Sequence, residues 1–361
     1  MRPGAGGGSV RTHEINKRLA ESFEITVVCA RYRGSTARVQ DGVRYVHVGL
    51  PLGYFPSIVS YFLSIPYALA RYRSDLVVED FGAPLSSVAV PWMTTRPTVG
   101  VVQWLFAKQK SAQYRFPFWI FERLGVRSHR TLVAVSPAVS DALQEMNPLA
   151  EVITVPNGLE GDARIPRSLR RSEIRYLGRL EIAQKGLDLL FRAYASIAGS
   201  IEQDLLIAGD GPDGDSLHAM AAELGISAKV KFVGRIHESE RLDWLASAEL
   251  VVMPSRYESF GMVAAESLAM STPVVAFDIA CLRDLVDDTT GALARPYDAD
   301  DFATKLSKLA GDPELRAELG AKGPQRVAGL DWDYLAGQQG DVYRRCLGLS
   351  GNTPAAQNTG S

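Results

Sequence analysis

Short apolar segments recur along the chain, and segments with helical spacing of apolar residues lie between them. Apolar, β-branched runs are typical of buried parallel strands, so their alternation with helices predicts an α/β fold. The first half has predicted strands at Phe23 to Ala30, Tyr45 to Val48, Leu76 to Glu79, Thr98 to Val102 and Thr131 to Val135. The second half has predicted strands near residues 174–177, 204–208, 229–233, 249–253 and 273–277.

The chain divides into two halves of this kind, and with 361 residues, 46% of them hydrophobic, it can form two cores. We expect a first domain over residues 1–156, a second over residues 157–330 and a hinge in the turn-rich segment from Gly161 to Ser172. Residues 331–348 predict a final helix. The polar tail at 349–361 is predicted to be disordered, because it has little apolar surface to bury.

Two carboxylates lie around the start of a predicted helix. Glu266 lies about 9 Å further along the helix axis than its start, at roughly 1.5 Å per residue, whereas Glu258 precedes the helix. Gly261 lets a ligand approach the backbone, and the free amides at the helix start suit a phosphate. Because carboxylates accept hydrogen bonds from sugar hydroxyls, the segment predicts a ligand containing ribose, diphosphate and hexose. Taken singly, Glu258 could instead cap the helix and Glu266 could be solvated.

A second strand-loop-helix segment lies upstream and carries two cations. Arg179 can form forked contacts with phosphate oxygens, and Lys185 can act as a point charge. Together they can neutralise a diphosphate leaving group. The alternative is a pair of solvated loop cations, which the specific spacing around the loop glycines disfavours.

With these motifs the chain resembles a known family: the retaining glycosyltransferases of the GT-B fold, of the group 1 or family 4 type. The similarity covers most of residues 152–300. The matching segments are Gly178-Arg179-Leu180, Lys185-Gly186, Ala208 to Pro212, Val233-Gly234, Pro254-Ser255, Glu258 to Glu266, and Thr272 to Ala276.

The resemblance implies two Rossmann-like domains whose parallel sheets face each other across a cleft, with acceptor bound by the first and nucleotide sugar by the second. It also implies that the final helix crosses back to the first domain. Glu266 would bind ribose hydroxyls, and the candidate catalytic residues Arg179, Lys185 and Glu258 would hold the diphosphate and the hexose. The candidate donor-binding residues are Gly7, Gly8, Gly178, Gly209, Gly234, Arg235, Ser259, Phe260, Gly261, Met262 and Glu266, and the candidate acceptor-binding residues are Gln103 and Trp104.

The chain departs from the family at its start. Gly7 and Gly8, before a predicted helix from Ser9 to Glu21, resemble a phosphate-approaching loop that follows an opening strand in relatives. Only Met1 to Ala5 precede the glycines, and these residues do not suit a buried strand. We therefore expect the first sheet to lack its opening strand, through a late-assigned start or a trimmed fold. A glycine tail without function is the alternative.

Two further departures concern the sugar and the acceptor. Relatives often have a histidine where this chain has Gln103 and Trp104, and glutamine does not change charge near neutral pH. Relatives also commonly carry a Gly-Gly turn where this chain has the segment from Asp278 to Asp284, which makes the hexose harder to predict.

The predicted activity is the retaining, metal-independent transfer of a hexose from a nucleoside diphosphate sugar to a hydroxyl of a glycan, glycolipid or secondary metabolite, without a cofactor. An inactive or weak sugar-nucleotide-binding subunit is the alternative. The glycines from Gly209 to Gly214 also fit a dinucleotide fingerprint, but Pro212 and the lack of a ribose-binding acid disfavour an NAD(P)-dependent dehydrogenase. The acid pairs Asp213/Asp215 and Asp331/Asp333 mimic a metal motif and are better interpreted as surface acids.

The charge and the cysteine content of the chain bear on its partners and its compartment. The net charge of -2 indicates no nucleic-acid partner, and the three scattered cysteines favour a reducing cytoplasm.

The uncharged segment from Leu50 to Ala70 is broken by prolines and favours helices packed on a sheet. Its alternative is a shallow membrane contact with Arg71 and Arg73 at the headgroups, which would place the enzyme at the inner face of the membrane. The aromatic and basic cluster from Trp104 to Trp119 fits either an acceptor wall or a packed helix, and the oligomeric state is not predicted.

Overall fold

The computed structural model describes residues 7–82, 87–105, 107, 108, 111, 115–159 and 172–349. The chain forms two compact units, the first from Met1–Pro156 together with Trp332–Ser361 and the second from Asn157–Asp331. Nearly all of the predicted hinge and of the predicted disordered tail lies outside the described residues. The same holds for Met1 to Ala5, where the sequence predicts that an opening strand is missing.

The strands occur close to the predicted positions. In the first unit they are β1 Thr26–Ala30, β2 Arg38–Gln40, β3 Val43–Val48, β4 Val77–Phe81, β5 Thr98–Val102, β6 Thr131–Ala134 and β7 Glu151–Thr154. In the second unit they are β8 Glu173–Leu177, β9 Asp204–Ala208, β10 Val230–Gly234, β11 Leu250–Met253, β12 Val274–Phe277 and β13 Gly291–Ala294. Strands β2, β7 and β13 were not predicted, and β13, with the sequence Gly, Ala, Leu and Ala, has no β-branched residue to indicate a strand.

Helices connect the strands in both units. The helices of the first half are α1 Gly7–Leu19, α2 Tyr54–Leu63, α3 Ile65–Arg71, α4 Phe118–Ser128 and α5 Pro137–Met146, with a 3₁₀ turn at Val90–Trp92. Those that follow are α6 Ile182–Lys185, α7 Leu187–Ile197, α8 Gly214–Glu223, α9 Arg241–Ala246, α10 Met262–Ala269, α11 Ala280–Arg283, α12 Ala299–Gly311, α13 Pro313–Arg326 and α14 Trp332–Cys346, with a 3₁₀ turn at Glu238–Glu240.

The second unit contains one parallel sheet of six strands, in the order β10-β9-β8-β11-β12-β13. Strands β11 and β12 are buried along their whole length, because helices cover both faces of a parallel sheet. Aliphatic and aromatic side chains from β8, β9, α7 and α12 form its core, including Ile174, Leu190, Leu205 and Phe302.

The sheet of the first unit is divided into two blocks. One block has the order β1-β3-β2, with β2 antiparallel, and the other is the parallel series β4-β5-β6-β7. Within the described ranges, β1 pairs only with β3 and β4 pairs only with β5, so each has one open edge. All five residues of β1 are only half-buried, although they are mostly apolar.

Helix α1 packs against α14, the last helix of the chain. Ile15 and Leu19 of α1 share a hydrophobic cluster with Leu335 and Val342 of α14. The buried Arg11 guanidinium strengthens this contact, since it donates to the Val155 carbonyl at 3.0 Å and to the Gln339 side chain at 2.8 Å.

The structure corrects the expectation for Gly7 and Gly8. Both residues belong to the first turn of α1 and not to a loop before it.

The apolar segment from Leu50 to Ala70 forms α2 and α3, which break at Ser64. In the part of the chain that the structure describes, no helix combines the length and apolar character needed to span a bilayer.

Candidate functional site

Three neighbouring strands of the second sheet end in glycine: Gly178 follows β8, Gly209 follows β9 and Gly234 ends β10. The Gly178 amide donates to the Ala208 carbonyl at 3.0 Å, and the Gly209 amide donates to the Gly234 carbonyl at 2.7 Å. Gly209 has a φ of +134°, and a Cβ there would lie 1.8 Å from the Gly178 carbonyl oxygen. The missing Cβ of Gly209 thus leaves room for the Gly178 carbonyl, so the segments that follow β8 and β9 pack backbone to backbone at this edge of the sheet.

The loop after β9 supports the loop after β8. The Leu180 amide donates to the Asp210 carbonyl at 2.8 Å, and the Asp213 carboxylate accepts the Ile182 amide at 2.6 Å. A Cβ on Gly211 would lie 2.3 Å from the Leu180 carbonyl oxygen. Packing between two loops thus explains the glycines of the dinucleotide-like fingerprint, and Asp213 serves as a structural acceptor.

The structure brings Lys185 and Glu258 together. Lys185 ends α6, and its Nζ forms an ion pair with Glu258 Oε1. The Ser255 hydroxyl donates to the same carboxylate oxygen at 2.9 Å, and the Cys281 thiol donates to the Glu258 carbonyl at 3.3 Å. Burial, aided by the charge of Glu258, raises the pKa of Cys281 to about 12, so the thiol stays protonated and can donate.

Arg179 lies at the rim of this cluster. Its side chain is 61% exposed and forms an ion pair with Glu181 at 3.0 Å. The loop is fixed beneath it, because the Tyr176 hydroxyl donates to the Arg179 carbonyl at 2.8 Å. Arg235, after β10, is also exposed and pairs with Asp210 at 2.5 Å.

Gly261 immediately precedes helix α10 and has a φ of +93°. A Cβ on Gly261 would lie 2.6 Å from Leu282 Cδ2. The residue at the helix N-cap is Gly261, and the Glu258 carboxylate instead contacts Lys185 and Ser255. Phe260 is buried, and Ser259 and Met262 flank the turn.

Glu266 is 8% exposed and forms an ion pair with Arg241 at 2.7 Å, so the alternative of a solvated helix position is wrong. The pair joins α10 to α9. Arg241 lies outside the sequence motifs of this site, so its position in the sequence gave no signal of this contact.

Arg256 holds the two halves of the cluster together. Its guanidinium forms two bonds with Asp188, each 2.8 Å long, and a third with the Ile182 carbonyl at 2.7 Å. Its own amide donates to the Gln184 carbonyl at 2.8 Å, and the Tyr297 hydroxyl donates to its carbonyl at 3.0 Å. The loop that carries Glu258 is thereby fixed to the segment that carries Lys185.

The Arg256 contact changes the ionisation of its partner. Burial alone would raise the pKa of Asp188, but the hydrogen bonds and charge of Arg256 outweigh it, so the pKa lies below its ordinary value. The bonds to Asp188 likewise raise the pKa of Arg256. The sequence offered one signal for this pair, since Arg256 lies inside the motif that contains Glu258.

A separate polar group lies in the first unit, at the ends of β4 and β5. The Gln103 side-chain amide donates to the Thr12 hydroxyl at 3.2 Å, and that hydroxyl donates to Asp80 at 2.8 Å. A Cβ on Gly8 would lie 3.2 Å from Gln103 Oε1. The structure therefore brings Gly8 and Gln103 together with Thr12 and Asp80, whereas Trp104 follows as a half-buried residue. Asp80 was missed, although an acid at the end of a predicted strand was a usable signal.

Across the described ranges, no group of three or more His, Cys, Asp or Glu side chains is placed to hold a metal ion. Asp333, of the second acid pair, forms an ion pair with Arg18 on α1.

Two known families match adjoining parts of the chain. "Glycosyl transferases group 1" matches residues 163–326, and "Glycosyltransferase Family 4" matches residues 5–162. The glycogen synthase of Mycobacterium tuberculosis is 26% identical to this chain, over 94% of this chain and 91% of its own length.

Solved structures are similar over nearly the whole length. Sucrose-phosphate synthase from Thermosynechococcus elongatus superposes with a TM-score of 0.80 at 21% identity, covering 96% of this chain and 95% of its own. The Anabaena protein HepE, solved in complex with UDP and glucose, superposes with a TM-score of 0.72 at 18% identity, covering 94% and 96%.

Proposed function

The chain belongs to the group 1, or family 4, glycosyltransferases and has the predicted GT-B fold, and we propose that it transfers a hexose from a nucleoside diphosphate sugar to an acceptor hydroxyl. We further propose that transfer retains the anomeric configuration and uses neither a metal ion nor a cofactor. Family membership removes the support for an NAD(P)-dependent dehydrogenase.

The placement of Lys185 and Glu258 beside the glycine-ended strands carries this proposal. A diphosphate would lie at the ends of these strands, where the Lys185 ammonium would supply its counter-charge. Arg179 extends from the rim of the same loop and would fold over the phosphates. Support from a neighbour comes from HepE, which was solved with UDP and glucose.

The proposed roles follow the order of groups in the donor. Glu266, a buried residue of α10, would accept hydrogen bonds from the ribose, and the amides from Ser259 to Met262 would contact phosphate and sugar. Glu258 would position the hexose, and when the donor enters, the Lys185 ammonium would exchange part of its contact with Glu258 for phosphate oxygens.

The proposed mechanism follows from the negative charge that would develop on the leaving group. As the glycosyl–phosphate bond breaks, negative charge builds on the phosphate oxygen, where Lys185 and Arg179 would stabilise it. The acceptor would attack from the face that the leaving group vacates, and its proton would pass to that phosphate oxygen. No dedicated base is then required, and Gln103, which does not titrate, is compatible with this route.

A weak or inactive sugar-nucleotide-binding subunit is the second candidate function. The open edges of β1 and β4 favour it, together with Gln103 at a position where relatives often have histidine. Both candidates share the proposed donor site and differ in turnover.

Release of nucleoside diphosphate from a panel of nucleotide sugars tests the proposal. We expect release by the wild-type protein and a loss of about 100-fold or more in Lys185→Ala and Arg179→Ala, because each removes a charge that stabilises the leaving group. Lys231→Ala and Arg295→Ala are matched controls, since both side chains are exposed and ion-paired elsewhere.

The stereochemistry is tested on the product. Proton NMR of the new glycosidic bond should show the anomeric configuration of the donor, and chelators should leave the rate unchanged. Binding of nucleotide sugars without turnover would favour the inactive subunit, and a glycosyl adduct trapped in Glu258→Gln on another residue would contradict the positioning role of Glu258.

The proposed location is the reducing cytoplasm. The thiols Cys29, Cys281 and Cys346 are all free, which suits such a compartment.

A further inference from the structure

Helix α4 buries its one acidic side chain and exposes four of its large apolar side chains, which are Trp119, Ile120, Phe121 and Leu124. Phe118, Glu122, Gly125 and Val126 are buried. The Glu122 carboxylate accepts the Ala107 amide at 3.2 Å, and Gly125 lies so near the neighbouring loop that a Cβ would come within 2.2 Å of Ser87 Cβ. Most other residues of the helix are exposed, so its solvent-facing side is unusually apolar for a surface helix.

The outward face continues onto neighbouring segments. The 3₁₀ turn that ends at Trp92 packs against α4, and Trp92 is 67% exposed. The Phe116 ring stacks on Phe121 with 6.1 Å between ring centroids. We call this set the aromatic patch; its exposed members are Trp92, Phe116, Trp119, Ile120, Phe121 and Leu124.

The surrounding sequence is strongly basic. Between residues 82 and 140 the only acid is Glu122, which is buried, whereas the whole chain has 41 acidic and 39 basic residues. Arg115, Arg123 and Arg127 are exposed beside or within the patch. The basic residues of this stretch are Arg96, Lys108, Lys110, Arg115, Arg123, Arg127 and Arg130.

We propose that the aromatic patch docks on an anionic membrane surface. Trp and Phe rings favour the headgroup boundary, and arginines beside them bind lipid phosphates, so both features of the patch fit one partner. A second copy fits less well, because symmetric pairing would bring Arg123 and Arg127 towards their own counterparts. A nucleic acid would leave Ile120 and Leu124 without an apolar partner. This surface is separate from the segment at Leu50 to Ala70.

Sedimentation with lipid vesicles tests the proposal. We expect the full-length protein to bind phosphatidylcholine vesicles containing 30 mol% phosphatidylglycerol at least tenfold more strongly than pure phosphatidylcholine vesicles, and to lose much of this preference in 0.5 M salt. Arg123→Gln/Arg127→Gln should lower the partition coefficient about 30-fold, since each charge near an anionic surface contributes about 1 kcal/mol, or about fivefold.

Apolar insertion is tested separately. Trp119→Ser/Leu124→Ser should lower binding at least tenfold at both salt concentrations. Leu149→Ser is the matched control, because Leu149 is 95% exposed but lies outside the patch, and it should bind like the wild type. Thermal midpoints within a few degrees of the wild type would show that each variant is folded.

Other outcomes would overturn the proposal. Equal vesicle binding by the wild type and the patch variants would do so. A dimer in light scattering that Trp119→Ser/Leu124→Ser dissociates would assign the patch to a second copy, and binding of a DNA duplex in place of vesicles would assign it to nucleic acid. Donor hydrolysis without acceptor should be unchanged in these variants, so failure here is distinguishable from failure of the proposed function.

Discussion

The two units contain sheets of similar strands, but only one sheet is continuous. In the second unit, β8 lies between β9 and β11, and β11 and β12 are fully buried. In the first unit, β1 and β4 each keep an open edge among the described residues, and β1 is half-buried throughout. The glycine-ended strands and the Lys185–Glu258 pair lie on the continuous sheet.

The two units differ in how firmly they hold the backbone of their candidate sites in place. The loops after β8 and β9 are fixed by backbone contacts so close that no residue with a Cβ would fit there. The polar group around Gln103 depends instead on side-chain hydrogen bonds between α1 and the strand ends. A site made of backbone tolerates little change in the strands beneath it. We therefore expect the second unit to respond more sharply to small substitutions.

The largest effect is expected for Gly209→Ala. A Cβ would clash with the Gly178 carbonyl in an already left-handed backbone, so we expect a loss of about 4 kcal/mol in the free energy of unfolding and loss of nucleotide binding. Denaturant titration and calorimetry measure the two effects. Gly53→Ala in the first unit has the same kind of φ but open space, and should cost about 1 kcal/mol. Equal losses of unfolding free energy in Gly209→Ala and Gly53→Ala would contradict the expected difference between the two units.

Arg256→Ala should have the next largest effect. It leaves the half-buried Asp188 carboxylate and the Ile182 carbonyl without their donor, which we expect to cost about 2–3 kcal/mol and to raise the KM for the donor more than it lowers kcat. Arg295→Ala, at an exposed pair, is the control.

The Arg256 contribution should depend on pH in one direction. Because the folded pKa of Asp188 is lowered, its stabilisation is present above the ordinary pKa near 3.8 and is lost as pH falls through the folded value. The difference between wild type and Arg256→Ala should therefore be constant from pH 5 to 8. A difference that changes within that range would contradict the assignment to this pair.

Hydrogen exchange compares the two sheets directly. We expect backbone amides of β1 to exchange at least about tenfold faster than those of β11, a difference of about 1.4 kcal/mol in opening free energy, because β1 has an open edge and half-buried side chains. Mass spectrometry of peptides covering the two strands measures this. Equal protection would indicate that another segment covers the edge.

The smallest effect concerns His129, which is buried in the first unit. Burial lowers its pKa despite the Gly125 carbonyl, which accepts its Nδ1–H at 2.9 Å, and the nearby Glu79 carboxylate. Because the pKa of His129 is lower in the folded state, the neutral imidazole contributes its full stabilisation above about pH 6.5. This stabilisation falls at lower pH, where His129 takes up a proton in the unfolded state. We expect a loss of about 1 kcal/mol between pH 7.5 and 5.5. The slope should flatten in His129→Gln and persist in His237→Gln.

Most of the fold was predictable because apolar, β-branched runs such as those at β9, β11 and β12 report burial on both faces. Strand β13 escaped because its small residues carry no such signal. The prediction of a missing opening strand stays a prediction, and so do the roles of Arg179, Lys185 and Glu258, since their place in the fold does not test their chemistry.

The supporting residues were harder to predict for a physical reason. Arg256 and Asp188 lie 68 residues apart, and only the pairing of β8 with β11 places their segments side by side. Glu266 and Arg241 depend on the packing of α9 against α10 in the same way. Motif spacing identifies a loop, whereas partners contributed by another loop follow from the three-dimensional packing.

The return of α14 to α1 has a consequence for the order of folding. The first unit consists of two chain pieces, and the second unit, Asn157–Asp331, is made between them. At about 5–20 residues per second, a ribosome needs roughly ten to thirty-five seconds for that stretch. Throughout this interval the apolar face of α1 lacks its partner and is open to chaperones. The unit that is synthesised first is therefore the last to be completed.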